Sequence, residues 1–174
     1  MKKTVLTYGL ISGSILVVLM AITIPLCMGK IDFVFSEIFG YTTMVLAFLL
    51  VFFGIRSYRE NVGGGAITFG KAFKVGLLIT LVTSAMYVGA WEIIYYGFIP
   101  DFADKYSVLV VEKMEKKGAS PAAIEKTKTE MAQFRENYKN PLFNVGMTFM
   151  EVFPVGLIVA LVSAGILRRK PALA

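Results

Sequence analysis

Leu142–Leu167 reads LFNVGMTFMEVFPVGLIVALVSAGIL and runs straight into Arg168-Arg169-Lys170, with Glu151 as its one charged residue. A helix needs about 20 mostly apolar residues to cross a hydrocarbon core. Inside a bilayer every backbone N–H and C=O must be paired within its own segment, so a lone apolar run of this length is a spanning helix. Three further runs have the same character, at about Val5–Met28, Phe33–Ile55 and Phe73–Ile99. The fold class that follows is an all-α integral membrane protein with four transmembrane helices, residues 1–174 forming a single four-helix membrane domain.

The chain is 56% apolar and 13% aromatic and contains no histidine. Histidine is the commonest metal ligand and the usual general base near neutral pH, so no metal and no cofactor is expected. Cys27 is the single cysteine and cannot close an internal disulfide. A net charge of +6 invites nucleic acid as a partner. The basic residues, however, flank the apolar runs, where they anchor and orient helices, and no nucleic-acid binding is expected. Met1-Lys2-Lys3 resembles the start of a signal peptide, but the apolar run that follows passes twenty residues and ends Ile24-Pro25-Leu26-Cys27. A signal h-region is roughly 7–15 residues, so this run is read as a retained first helix.

Lys2 and Lys3 precede the first run, Arg56, Arg59, Lys71 and Lys74 lie between the second and third, and Arg168, Arg169 and Lys170 follow the fourth. All three clusters fall on one side of the membrane. Short basic segments stay cytoplasmic, which puts both termini inside and the long segment between the third and fourth helices outside. Trp91, Tyr95 and Tyr96 then sit at the outer end of helix three, a position suited to the headgroup zone.

The inner loop, about 56–72, contains Gly63-Gly64-Gly65 and then Gly70-Lys71. Its Gly65-x4-Gly70-Lys71 spacing matches most of a phosphate-binding loop, but Ala72 stands where a Ser or Thr is required and no strand precedes it. A glycine turn followed by a basic, aromatic lead-in to helix three is the better account. Lys71 and Lys74 would rest on anionic headgroups, making membrane lipid a partner.

The outer segment, about 101–139, is read as an extracytoplasmic helical hairpin. Phe102, Tyr106, Leu109, Val110 and Met114 form one apolar stripe, and Ile124, Met131, Phe134 and Tyr138 form another. Gly118 supplies a stop between them, and Ser120-Pro121 an N-cap followed by proline at the first helical position. The remaining charged faces are read as solvated. Inside the membrane, Gly9 and Gly13, Gly76, Thr80 and Ser84, and Gly156, Ala160 and Ala164 are spaced by four; such ladders are where helices approach closely in lipid. Pro25 and Pro154 are expected to kink helices one and four.

Phe53-Gly54-Ile55-Arg56-Ser57-Tyr58-Arg59-Glu60-Asn61, Ile67-Thr68-Phe69-Gly70-Lys71-Ala72-Phe73-Lys74-Val75-Gly76 and Trp91-Glu92-Ile93 with Tyr95 resemble the bacterial membrane proteins grouped as domain of unknown function 4199. The resemblance covers nearly the whole chain. It implies four membrane helices with a long loop between the third and fourth, a bacterial inner-membrane setting and no particular activity. It also marks Arg56, Tyr58, Arg59, Gly70, Lys71 and Lys74 as a candidate inner-loop motif.

Glu37, Glu92 and Glu151 are acids within or near the membrane, where an ionisable group costs roughly 2.5–3.5 kcal/mol at mid-depth and so faces a bundle interior or water. They are a candidate polar or ion site in the outer half of the bundle. Each can also be accounted for singly, by reaching to the interface or by hydrogen-bonding a Thr or Tyr. No catalytic constellation is visible. The leading expectation is a non-enzymatic accessory or scaffold protein that binds a protein partner or assembles as a homo-oligomer. The alternative is a small proton- or cation-coupled carrier using the three glutamates.

Overall fold

The computed structural model describes residues 1–29 and 33–169, with side chains described throughout that range except at 25–29 and 33–37. The described residues form six helices in chain order: α1 Lys2–Gly29, α2 Phe33–Asn61, α3 Phe69–Phe98, α4 Phe102–Lys116, α5 Pro121–Tyr138 and α6 Pro141–Leu167. Among them there is no strand, only an isolated antiparallel bridge between Ile67 and Arg169. Four of the helices are long and apolar enough to cross a membrane. At 1.5 Å per residue, the 30 residues of α3 extend about 45 Å, longer than a hydrocarbon core is thick.

That overrun corrects the inner loop. Arg56, Tyr58 and Arg59 belong to the last turns of α2, and Gly70 and Lys71 to the first turn of α3, leaving 62–68 as the connection. A helix persists beyond the hydrocarbon until something ends it, and here three glycines do. Gly64 and Gly65 have φ of +60° and +83°, a conformation glycine enters at no steric cost. A side chain on Gly63 would meet the carbonyl oxygen of Ala66 at 2.3 Å. Gly63 N and Gly65 N donate back to Tyr58 O and Arg59 O at 3.0 Å, pairing carbonyls that the end of α2 leaves free. Both α1 and α6 run on as helix through Pro25 and Pro154.

The chain forms two compact units, Met1–Gly89 with Phe149–Ala174, and Ala90–Thr148. In the first, close helix contact rests on the expected small residues. Gly9 lies against Val82, Gly76 against Ile55 and Ala160, and Gly156 against Phe48 and Thr80. Hydroxyls add cross-links: Ser12 donates to Ala47 O at 2.9 Å, Thr80 to Gly156 O at 3.2 Å and Thr83 to Gly9 O at 3.3 Å. Lipid supplies no hydrophobic drive between helices, so close packing holds the bundle, together with such bonds, each worth about 0.6 kcal/mol. Phe48, Val51, Ile55, Val75, Ile79 and Val152 are fully buried and fill its interior.

In the second unit, Ser120 caps α5 by accepting from Ala123 N at 3.3 Å, with Pro121 at the first position, and Gly118 ends α4 at φ +69°. Helices α4 and α5 pack together through Tyr106 and Phe134, whose ring centroids are 5.7 Å apart. Of the two expected stripes, Leu109 is a correction. It is 43% exposed, while Ala103 and Ser107 are buried instead. Leu109 stands one residue, about 100° of helix, from Val110 on the packed face.

Candidate functional site: polar groups of the two units

The second unit is built around aromatic rings. Trp91 meets Phe102 edge-on at 4.8 Å, Tyr95 meets Tyr138 at 5.3 Å, and Phe134 lies 4.9 Å from Tyr138. Trp91 and Tyr95 are therefore buried rather than turned to headgroups; of the three expected interfacial aromatics only Tyr96 is exposed. The indole N–H of Trp91 donates to Asn144 Oδ1 at 2.9 Å and to Tyr138 OH at 3.0 Å. An indole nitrogen only donates, which fixes the amide orientation of Asn144. Thr148 also donates to Asn144 Oδ1, at 3.4 Å. Asn144 Nδ2 is then buried without a partner among the described residues, a group whose isolation costs about 1–3 kcal/mol.

The charges of α4 and α5 pair locally. Lys105 meets Asp101 at 2.6 Å, Lys139 meets Glu136 at 2.7 Å, and Arg135 reaches Asp104 at 3.4 Å between the two helices. The hydrogen bond from Lys139, aided by its charge, holds the Glu136 carboxyl below the ordinary carboxylate range. These pairs are exposed, as a solvated face requires.

The three glutamates differ in setting. The side chain of Glu37 lies outside the described residues. Glu92, in the second unit, is half-buried, and its Oε1 is buried without a partner among the described residues. Glu151, in the first unit, is solvent-accessible, next in sequence to the exposed Met150, and has no hydrogen bond or ion pair among the described residues. It lies ten residues from Pro141, about 15 Å along the helix at 1.5 Å per residue, well inside a candidate span.

The inner-loop residues divide into stitches and free charges. Arg59 Nη1 donates to Leu167 O, the last carbonyl of α6, at 3.2 Å, and its Nε to Glu60 at 2.9 Å. A cation at a helix C-terminus is favoured by the helix dipole. Ile67 and Arg169 exchange backbone hydrogen bonds at 3.0 and 2.9 Å, tying the loop to the chain beyond α6. Tyr58 is buried beneath Lys71, whose Nζ is 5.8 Å from its ring centroid. Gly70 is open around its Cα, and no strand precedes it, so no phosphate-binding loop is formed. Arg56, Lys74, Arg168 and Arg169 are exposed. Together with Lys2 and Lys3 they make one strongly basic end of the first unit, in which Glu60 is the one acid among the described residues and is paired with Arg59.

Sequence reasoning names the glutamates and the basic clusters as candidates but passes over Asn144 and Thr148. The signal was present: an amide with a hydroxyl four residues on, inside an otherwise apolar run, is a polar step on one helical face.

Comparison with known families matches residues 7–169 to a family described as "Protein of unknown function (DUF4199)". No curated protein and no solved structure matches the chain.

Proposed function

The chain belongs to the DUF4199 family, and from its geometry we propose that it is a non-enzymatic accessory or scaffold protein of the bacterial inner membrane that takes a partner laterally through α6. Glu151 carries this reading. A carboxylate facing lipid near mid-membrane costs roughly 2.5–3.5 kcal/mol, and the bundle offers it no partner among the described residues. A neighbouring helix bearing a donor removes that cost. The partner is a different membrane protein or a second copy of this chain. The basic inner end keeps both termini cytoplasmic and leaves α4 and α5 as an extracytoplasmic hairpin, by the same charge asymmetry that orients membrane proteins generally.

Purification from native membranes in mild detergent tests the proposal. Wild-type protein is expected to elute with a stoichiometric partner or as a defined oligomer. Glu151→Leu is expected to abolish the association with helicity unchanged, while Glu151→Gln, which still hydrogen-bonds, retains most of it. A monomer from wild-type membranes, or an association indifferent to Glu151→Leu, would overturn it.

A proton- or cation-coupled carrier is the second reading, favoured by the Oε1 of Glu92, buried and unpartnered among the described residues. Uptake into proteoliposomes that Glu92→Gln abolishes is the result this reading requires.

A further inference from the structure

We propose that the basic end of the first unit holds one anionic phospholipid, its acyl chain in a groove between α1 and α3 and its phosphate between Lys2 and Lys74. The groove has a volume of about 210 Å³ and is lined by Met1, Lys2, Val5, Leu6 and Leu78. Its wall is apolar apart from that lysine, and it is smaller than the ~300–1,000 Å³ of pockets that enclose drug-sized ligands. A small, partly open, apolar recess fits part of one hydrocarbon chain rather than a folded partner.

Charge complementarity selects the headgroup. Lys74 is exposed and stands one turn before Leu78, so the two occupy the same stripe of α3. Lys2, which lines the groove, and its neighbour Lys3 begin α1. Among the described residues none of these lysines has a carboxylate partner, and the one acid of this end among them, Glu60, is engaged by Arg59. Cations at membrane-surface depth with no internal counterion attract anionic headgroups. Adjacent apolar walls then distinguish a lipid, which brings its own chain, from free phosphate, which does not. Aromatic rings at the start of α3, Phe69 and Phe73, stacked at 6.2 Å, belong to the same interfacial depth.

The full chain, tagged at its C-terminus and purified in detergent, is tested by native mass spectrometry with phosphatidylglycerol or phosphatidylcholine added in equal amounts. Wild type should retain one phosphatidylglycerol preferentially. Retention should fall about fivefold for Lys2→Gln or Lys74→Gln and about thirtyfold for both, the factors to which ~1 kcal/mol per cation converts. Leu78→Phe, which fills the groove without altering charge, should reduce retention as well. The control Lys126→Gln, on α5, should change nothing, and inorganic phosphate at the same concentration should not displace the lipid. Equal retention of the two lipids, indifference to the double lysine variant, or displacement by phosphate alone would each overturn the proposal. The binding is read on the isolated chain, so its failure is separable from failure of the association through Glu151.

Discussion

Alanine at Gly156 should loosen the membrane bundle, and alanine at Gly165 should not. A Cβ at 156 would stand 2.5 Å from both Phe48 Cε1 and Thr80 Cγ2. Phe48 is fully buried and cannot swing away. Over-packing of this kind costs about 1–3 kcal/mol. Moving α6 outward to relieve it also stretches the Thr80 hydrogen bond to Gly156 O, already 3.2 Å long and worth about 0.6 kcal/mol in a membrane bundle. The sum is roughly 1.6–3.6 kcal/mol, which at about 2–4 °C per kcal/mol for a chain of this size lowers the unfolding midpoint by about 3–14 °C. Gly165 lies on the same helix, and a methyl group there would have no atom within 4 Å, so alanine is neutral or slightly stabilising through helix propensity. Gly13→Ala should fall between, because the atom it meets at 2.5 Å is the sulfur of Met86, the movable part of a flexible side chain. Thermal unfolding of the detergent-solubilised variants, followed by circular dichroism, gives the comparison. Equal midpoints for the Gly156 and Gly165 variants would refute the close-packed interface.

Serine at both Met131 and Phe134 should raise proteolysis between Pro100 and Pro141 while the four spanning helices stay inserted, since Phe134 contacts Tyr106 and Tyr138 and each buried apolar side chain lost costs about 1.5–3 kcal/mol. Unchanged cleavage would mean that α4 and α5 do not depend on this seam. In a Cys27→Ser background, cysteine at Ser120 should react with an impermeant maleimide in spheroplasts and cysteine at the exposed Val62 should not; the reverse pattern would invert the orientation. Glu136 should titrate below the usual carboxylate range by NMR and return to it in Lys139→Gln. Because its folded pKa is depressed, the stability it lends is present above its unfolded pKa and is lost as pH falls through the folded value. An identical titration in the variant would remove Lys139 as the cause.

What could be read from the sequence was what repeats along one helix. Four long apolar runs required four helices, and the ladders at Gly9, Gly76 and Gly156 marked contact faces because residues four apart share a face. Ser120-Pro121 and Gly118 signalled local backbone conformations, and both stand where those residues demand them. Polar composition over 56–72 overstates the connection because it marks the edge of the hydrocarbon, whereas the helix stops where Gly63, Gly64 and Gly65 break it. The position of Trp91 in its run points to the headgroup zone, yet the residue is buried. Its indole N–H is bonded to Asn144, 53 residues away, and no periodicity links two positions so far apart. For Glu151, counting residues gives its position along α6, but its exposure depends on which face of that helix its neighbours cover.

Site-specific photo-crosslinking in native membranes tests the central claim most directly. A photoreactive residue at Ile158, which is 62% exposed and two turns from Glu151 on the same stripe of α6, would report what covers that face. One discrete cross-linked species is expected, either a dimer of the chain or an adduct with another membrane protein, and it should disappear in Glu151→Leu. Absence of any discrete species in wild type, or a species that survives Glu151→Leu unchanged, would contradict the account.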